Sequence, residues 1–194
     1  MSTSWDDFAD GWDTNEAVVL YALKAYESLL KTVELGGCNV LDFGCGTGLL
    51  TEKIARQARS VVALDPSEKM IAVLTSKHLK NVYTITSELS QNLINTNERL
   101  RCGFDLIVAS SVLAFVPDYQ KTLTLLKQLL KEGGLFVQWD WLKESETSGI
   151  GFSKEAIESA LKQAGFLEYS TSVPFSMEGP DGSMNVVMGV AKNP

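Results

Sequence analysis

Hydrophobic and polar positions along this chain follow two alternating rhythms from residue 39 onward. Short, mostly apolar runs occur at residues 40–43, 61–64, 82–86, 104–109 and 135–139. Runs of that length suit strands buried on both faces of a parallel sheet. Between them, apolar residues recur at helical spacing. Leu49, Leu50, Ile54, Ala55 and Ala58 share one face, and Leu123, Leu126, Leu129 and Leu130 form a stripe. Asp118 is placed to cap the second of these helices and Gly133-Gly134 to stop it. Residues 17–35 read as an amphipathic helix ahead of the first strand. Ser153 reads as the cap of a helix ending at Gly165. Residues 166–173 and 184–191, joined by a turn at 179–182, read as a terminal hairpin. Residues 88–101 are polar and read mostly as loop. The alternation predicts an α/β, doubly wound, mostly parallel sheet with helices on both faces and an antiparallel C-terminal strand.

The totals narrow the setting. A chain of 194 residues, 45% hydrophobic, suits a single domain over 1–194 with an ordinary core. Within it, 1–35 reads as an N-terminal lid and helix and 36–194 as the sheet core with its hairpin. The formal net charge of -7 disfavours a nucleic-acid partner. Lys121, Lys127 and Lys131 read as a solvated helix face. Three cysteines, Cys38, Cys45 and Cys102, form no C-x-x-C pair, which argues against a disulfide framework or a metal site. Residues 1–13 carry no apolar run of the signal-peptide kind, and no stretch is long enough to span a bilayer. The expectation is a cytoplasmic protein without a membrane partner, as monomer or homodimer.

Residues 40–48, VLDFGCGTG, carry the strongest chemical signal. A buried strand runs into alternating glycines and then a helix, so the backbone can turn tightly and a ligand can approach it closely. In an open α/β sheet this is the crevice at the carboxyl ends of the strands. A dinucleotide fingerprint needs a further glycine where Leu49 stands. A triphosphate loop needs Lys after Gly48, and Leu49 stands there too.

Residues 42–48 resemble the D-x-G-x-G-x-G motif of class I S-adenosylmethionine-dependent methyltransferases of the small-molecule type. Residues 61–70 resemble that family's second strand with its acidic end. Residues 104–118 resemble its fourth strand and following helix, and residues 130–135 the entry to its fifth. The aromatic-acidic opening at 5–13 and the Ala164-Gly165-Phe166 turn agree as well, so the resemblance runs over nearly the whole chain. It implies a seven-stranded sheet of order 3-2-1-4-5-7-6, S-adenosyl-L-methionine as cofactor and S-adenosyl-L-homocysteine as its product. It also implies that Gly44, Cys45 and Gly46 pass under the methionine part, Asp42 orients the loop or meets the amino group, and Asp65 accepts the ribose hydroxyls. Pro66 and Met70 would lie near the adenine, with Trp12 and Ser110 completing the cofactor site. Two positions depart from the family pattern. Ser87 and Glu88 stand where an Asp usually meets the adenine amino group, and Phe115 stands where many members carry His.

The single histidine, His78, lies at a predicted helix end away from the crevice and reads as a surface residue. Asp140, between Trp139 and Trp141 at the end of the fifth strand, is the candidate for binding an amine acceptor or taking its proton. The competing reading makes the tryptophans core and Asp140 a strand end. Trp12, Phe115, Trp139 and Trp141 are the candidate walls of the acceptor pocket. Trp5, Phe8 and Trp12, stranded among acidic residues, are expected to fold over bound cofactor as a lid. The function expected is methyl transfer to a small-molecule acceptor. The alternatives are a non-catalytic S-adenosylmethionine-binding protein and a nicotinamide-dependent oxidoreductase.

Overall fold

In the computed structural model of the chain, the described residues are 5–144, 149–179 and 182–194. Their strands form one seven-stranded sheet of order β3-β2-β1-β4-β5-β7-β6. The strands are β1 (Asn39–Phe43), β2 (Ser60–Asp65), β3 (Val82–Thr86), β4 (Phe104–Ser110), β5 (Leu130–Trp141), β6 (Glu168–Gly179) and β7 (Gly182–Lys192). The first five run parallel, and β7 inserts antiparallel between β5 and β6. Two apolar clusters sandwich the sheet, one around Phe104, Phe136 and Phe166 and the other around Leu29, Val108 and Trp139. No helix among the described residues is long and apolar enough to cross a membrane.

The helices are α1 (Glu16–Leu30), α2 (Leu49–Ala55), α3 (Glu68–Ser76), α4 (Gln91–Thr96), α5 (Glu98–Arg101), α6 (Tyr119–Leu129) and α7 (Lys154–Gln163). Side chains of Asn15, Ser67, Asp118 and Ser153 cap α1, α3, α6 and α7 by accepting backbone N–H bonds. Several boundaries differ from expectation for identifiable reasons. Helix α1 stops at Leu30, because Thr32 and Val33 are poor helix formers and Gly37 takes a positive φ of 80°. Helix α6 ends at Leu129, ahead of the glycine pair. Leu130 is already extended and pairs with Phe104, and Gly133 and Gly134 lie inside β5 at an irregularity in its pairing with β4. Asn193 holds that irregularity by donating to the carbonyls of Leu130 and Lys131 at 3.2 and 3.1 Å. Lys131 therefore belongs to the strand, where it pairs with Asp105 at 2.7 Å.

Residues 88–101 are not mostly loop. Ser90 and Asn97 cap the short α4 and α5, whose Ile94 and Leu100 are buried in the core. Strand β3 is an edge strand with three of its five residues exposed, so it is not buried on both faces. The hairpin strands are longer than their apolar runs, with an irregular register between Ser172 and Phe175 around Pro174 on the edge strand β6. Pro180 and Asp181 of the expected turn lie outside the described residues.

Candidate functional site

A cavity of about 1160 Å³ opens at the carboxyl ends of β1, β2 and β4. The glycine loop forms its floor. Gly44, Gly46 and Gly48 all have positive φ, of 69°, 53° and 81°. Their roles differ. A Cβ on Gly44 would lie 2.2 Å from Cγ2 of Val112, and one on Gly48 would lie 2.3 Å from Cδ1 of Leu74. These two are small so that the loop can pack against the residues behind it. A Cβ on Gly46 would approach nothing closer than 3.9 Å, Met70 Sδ, with Trp12 Nε1 at 4.0 Å. Gly46 alone of the three presents bare backbone to open space in the cavity.

Asp65 ties this loop to its neighbour. One carboxylate oxygen accepts the Gly46 N–H and the other the Ser67 N–H, both at 2.9 Å. Each oxygen keeps a lone pair for a further donor in the cavity. Burial pushes the Asp65 pKa up, and the two backbone bonds pull against that. Asp42 lies deeper, accepting the Thr51 hydroxyl at 2.6 Å, and burial with the nearby Asp65 charge raises its pKa to about 7. Pro66 and Met70 line the cavity beyond Asp65, and Ser87 and Glu88 line it after β3, the Ser87 N–H donating to the Asp65 carbonyl at 3.1 Å. The Ser87 hydroxyl donates to the Glu88 carbonyl at 3.1 Å, so its lone pairs can accept. Cys45 and Ser110 also line the cavity, so every residue expected at the cofactor is brought to this one place.

The N-terminal arm, 5–15, closes over it. Ser67 Oγ and Lys69 N–H donate to Asp6 at 2.5 and 3.2 Å, and these bonds hold the Asp6 carboxylate below its ordinary range. Asp13 accepts the Thr47 hydroxyl and pairs with Lys77 at 2.7 Å. The Trp5 ring meets Phe115 edge-on at 5.0 Å, bridging the arm to the far wall. Phe115, which takes the place of the family's His, thus serves as a landing for the arm.

Asp140 is not in the cavity wall. The two-residue alternation of β5 puts it on the face opposite Trp139 and Trp141, where it is 2% exposed. Gln138 Nε2 donates to it at 3.0 Å and Tyr119 donates to Gln138 at 2.7 Å. The backbone N–H of Ala114 also donates to it, and burial raises its pKa to about 8. Trp139 is likewise in the core, its indole N–H donating to Ser28 at 2.8 Å, whereas Trp12, Phe115 and Trp141 do line the cavity. His78 is exposed just past α3 and away from the site. Sequence reasoning missed Asp6, Tyr21, Thr47 and Met177, all within or beside the cavity. For Asp6 the acidic-aromatic opening was the available signal. Tyr21 reads as one more core position of α1.

The model described as a methyltransferase domain matches residues 41–136, the stretch from β1 to β5 that carries the glycine loop and Asp65. The chain is also 33% identical, over 186 residues, to the mitochondrial ubiquinone biosynthesis O-methyltransferase of Rattus norvegicus. This chain belongs to the class I S-adenosylmethionine-dependent methyltransferases. The match covers 87% of the chain but 53% of the rat protein, so the chain spans about half the length of that relative. Solved methyltransferases share the fold over nearly the whole chain. One from Aquifex aeolicus superposes with a TM-score of 0.69 at 22% identity, covering 97% of this chain and 98% of that one. The N-methyltransferase NodS of Bradyrhizobium japonicum, in complex with S-adenosyl-L-homocysteine, gives 0.67 at 18% identity, covering 98% and 99%. At these identities the likeness establishes the methyltransferase fold alone.

Proposed function

We propose that this chain binds S-adenosylmethionine along the glycine loop and transfers its methyl group to a small-molecule acceptor held over the ends of β4 and β5. The observation that carries the reading is the open backbone at Gly46 with the Asp65 carboxylate beside it. That cradle would be filled by any side chain, and a two-oxygen acceptor at its edge suits a vicinal diol. In this reading Asp65 accepts the ribose hydroxyls. Met70 and Pro66 pack one side of the adenine, and the Ser87 hydroxyl or the Glu88 carboxylate receives its amino group. Asp42 and the Gly44–Gly46 backbone meet the methionine end.

Bound S-adenosylmethionine would supply an electrophilic methyl on a sulfonium for the acceptor's lone pair, with the thioether as leaving group and the acceptor's proton passing to solvent. The chain's own part is positioning and the exclusion of water. Trp5 on Phe115, with Asp6 and Asp13 anchored on α3 and the glycine loop, makes the arm a lid over the cofactor. Asp140 contributes from behind the wall by holding the turn that carries Phe115. The walls are mainly apolar, which suits a small acceptor with a flat or aliphatic face. The free thiols Cys38, Cys45 and Cys102 suit a reducing compartment, and the cytoplasm is the setting we infer.

The test has two stages. Calorimetry should show S-adenosylmethionine and S-adenosylhomocysteine binding and NAD not binding. A metabolite pool incubated with methyl-labelled cofactor should then yield a labelled small molecule. Binding without any labelled product would favour a non-catalytic cofactor-binding protein, and tighter binding of NAD would defeat the reading.

A further inference from the structure

One buried polar atom near this site has no partner. Tyr21, on α1, is 8% exposed and lines the cavity, and among the described residues its hydroxyl is the buried side-chain group without a hydrogen bond. Its ring is fixed from two sides, edge-on to Trp141 and to Phe175, each at 5.4 Å. It sits over the ends of β4 and β5, whereas Gly46, Asp65 and Met70 belong to the β1–β2 side. Asp140 and Ser111 are its polar neighbours, neither in hydrogen-bond geometry with it. Ser111 itself takes a positive φ of 54°, a conformation a non-glycine residue holds only under surrounding constraint, and its N–H is tied to the Trp139 carbonyl at 2.7 Å. A buried hydroxyl without a partner destabilises a fold, and strain beside it does the same. Both are expected where a ligand completes the arrangement.

We propose that the Tyr21 hydroxyl is the hydrogen-bonding anchor for the methyl acceptor, a positioning residue that orients an oxygen-bearing, flat, apolar molecule against Trp141. This rests on the methyltransferase reading. The apolar ring of the acceptor faces Trp141 and Met177, and its one polar group meets the one unpaired polar atom. Burial and the nearby Asp140 carboxyl raise the Tyr21 pKa well above ordinary, so the group remains a phenol and donates a hydrogen bond. It takes no proton from the acceptor.

Tyr21→Phe keeps the ring and removes only the oxygen. The probe is phenol, which joins a flat ring to one hydroxyl, added to protein saturated with S-adenosylhomocysteine and followed by ligand-observed NMR. Three results are expected. The unliganded variant should melt about 2–4 °C higher than wild type, because an unpaired buried hydroxyl is gone. Its affinity for S-adenosylhomocysteine should stay within about twofold. Its affinity for phenol should drop roughly 3- to 10-fold, the loss of one hydrogen bond. A lower melting temperature would mean that the hydroxyl is a structural partner. A large loss of S-adenosylhomocysteine affinity would assign it to the cofactor. Unchanged phenol affinity, or no saturable phenol binding to wild type, overturns the anchor alone. A wild type that binds no S-adenosylhomocysteine overturns the methyltransferase reading, and the anchor with it.

Discussion

Adding one methyl group at each glycine of the loop separates packing from binding. All three positions lie in the left-handed region, where an L-residue costs about 1–2 kcal/mol, partly offset by a stiffer unfolded chain. Gly46→Ala adds nothing to that, since its Cβ would stand 3.9 Å from the nearest atom. The expected loss is about 1 kcal/mol, or roughly 2–4 °C in Tm for a chain of this size. Gly44→Ala places Cβ 2.2 Å from Cγ2 and 2.6 Å from Cβ of Val112, a branched side chain that cannot rotate clear. Overpacking adds about 1–3 kcal/mol, for a total near 2–4 kcal/mol and a drop of roughly 5–15 °C. Affinity should be ordered the other way among folded variants. The Gly46→Ala methyl projects into the space beside Met70 and Trp12 where the ligand would lie. Binding of S-adenosylhomocysteine should weaken roughly 10- to 100-fold. Differential scanning fluorimetry and calorimetry read the two quantities independently. Cofactor affinity in Gly46→Ala within threefold of wild type would refute the placement of the ligand on this backbone. A Tm loss as large as that of Gly44→Ala would refute the assignment of packing and binding to different glycines.

Asp65→Ala should weaken S-adenosylhomocysteine binding about 30- to 1000-fold, from two lost charge-assisted hydrogen bonds at ~2–4 kcal/mol together, and unchanged calorimetric affinity in a folded variant would reject the ribose role. Deleting residues 1–13 should weaken cofactor binding while the core keeps its far-ultraviolet circular dichroism, and hydrogen exchange over 5–15 in the full chain should slow on adding S-adenosylhomocysteine. Equal exchange with and without ligand would remove the lid. Asp140 makes a pH prediction. Its folded pKa of about 8 lies above its unfolded value of 3.8, so the folded state holds the extra proton and stability falls as pH rises from about 4 to about 8. Asp42, at about 7, contributes the same sign up to that pH. Asp140→Asn should flatten the slope of Tm against pH in this window and leave S-adenosylhomocysteine affinity intact; an unchanged slope would show that Asp140 does not titrate there.

The clustering of the proposed cofactor residues was legible because they lie in one short stretch whose spacing is tied to its geometry. The Asp42–Gly48 loop and Asp65 come from consecutive β-α units, and the parallel pairing of β1 with β2 brings their ends together. The proposed acceptor side is assembled from α1, the β4–α6 turn, β5 and the terminal hairpin, so no local spacing marks it. Tyr21 follows helical periodicity like any core residue, and only its missing hydrogen-bond partner sets it apart. For a related reason two readings of Asp140 and Trp139 stayed open in the sequence, pocket or core. A strand end reveals which residues are near the crevice but not which of its two faces carries them. Here Gln138 and Asp140 face Tyr119, while Trp139 packs under α1. The glycine pair at 133–134 misled in the same way, since glycine marks a broken helix and an irregular strand equally well.

Asp118 and Glu178 line the cavity beyond the glycine loop, and the architecture supplies order beside them. Asp140 holds the Ala114 N–H, so the end of β5 fixes the 113–115 turn. That turn presents Phe115, on which Trp5 rests. Trp5 belongs to the same arm whose Asp6 and Asp13 are bound to the start of α3 and to the glycine loop. The chain of contacts therefore runs from the acceptor side of the sheet, over the cavity, and back to the cofactor side. In the proposed function, closing the arm would position both halves at once and remove water from between them. For a transfer whose electrophile is already charged, bringing the two partners into line accounts for much of the acceleration an enzyme must provide. On this view Asp140 matters through the shape of the wall it stands behind, and Tyr21 through the one direction in which it lets an acceptor bind.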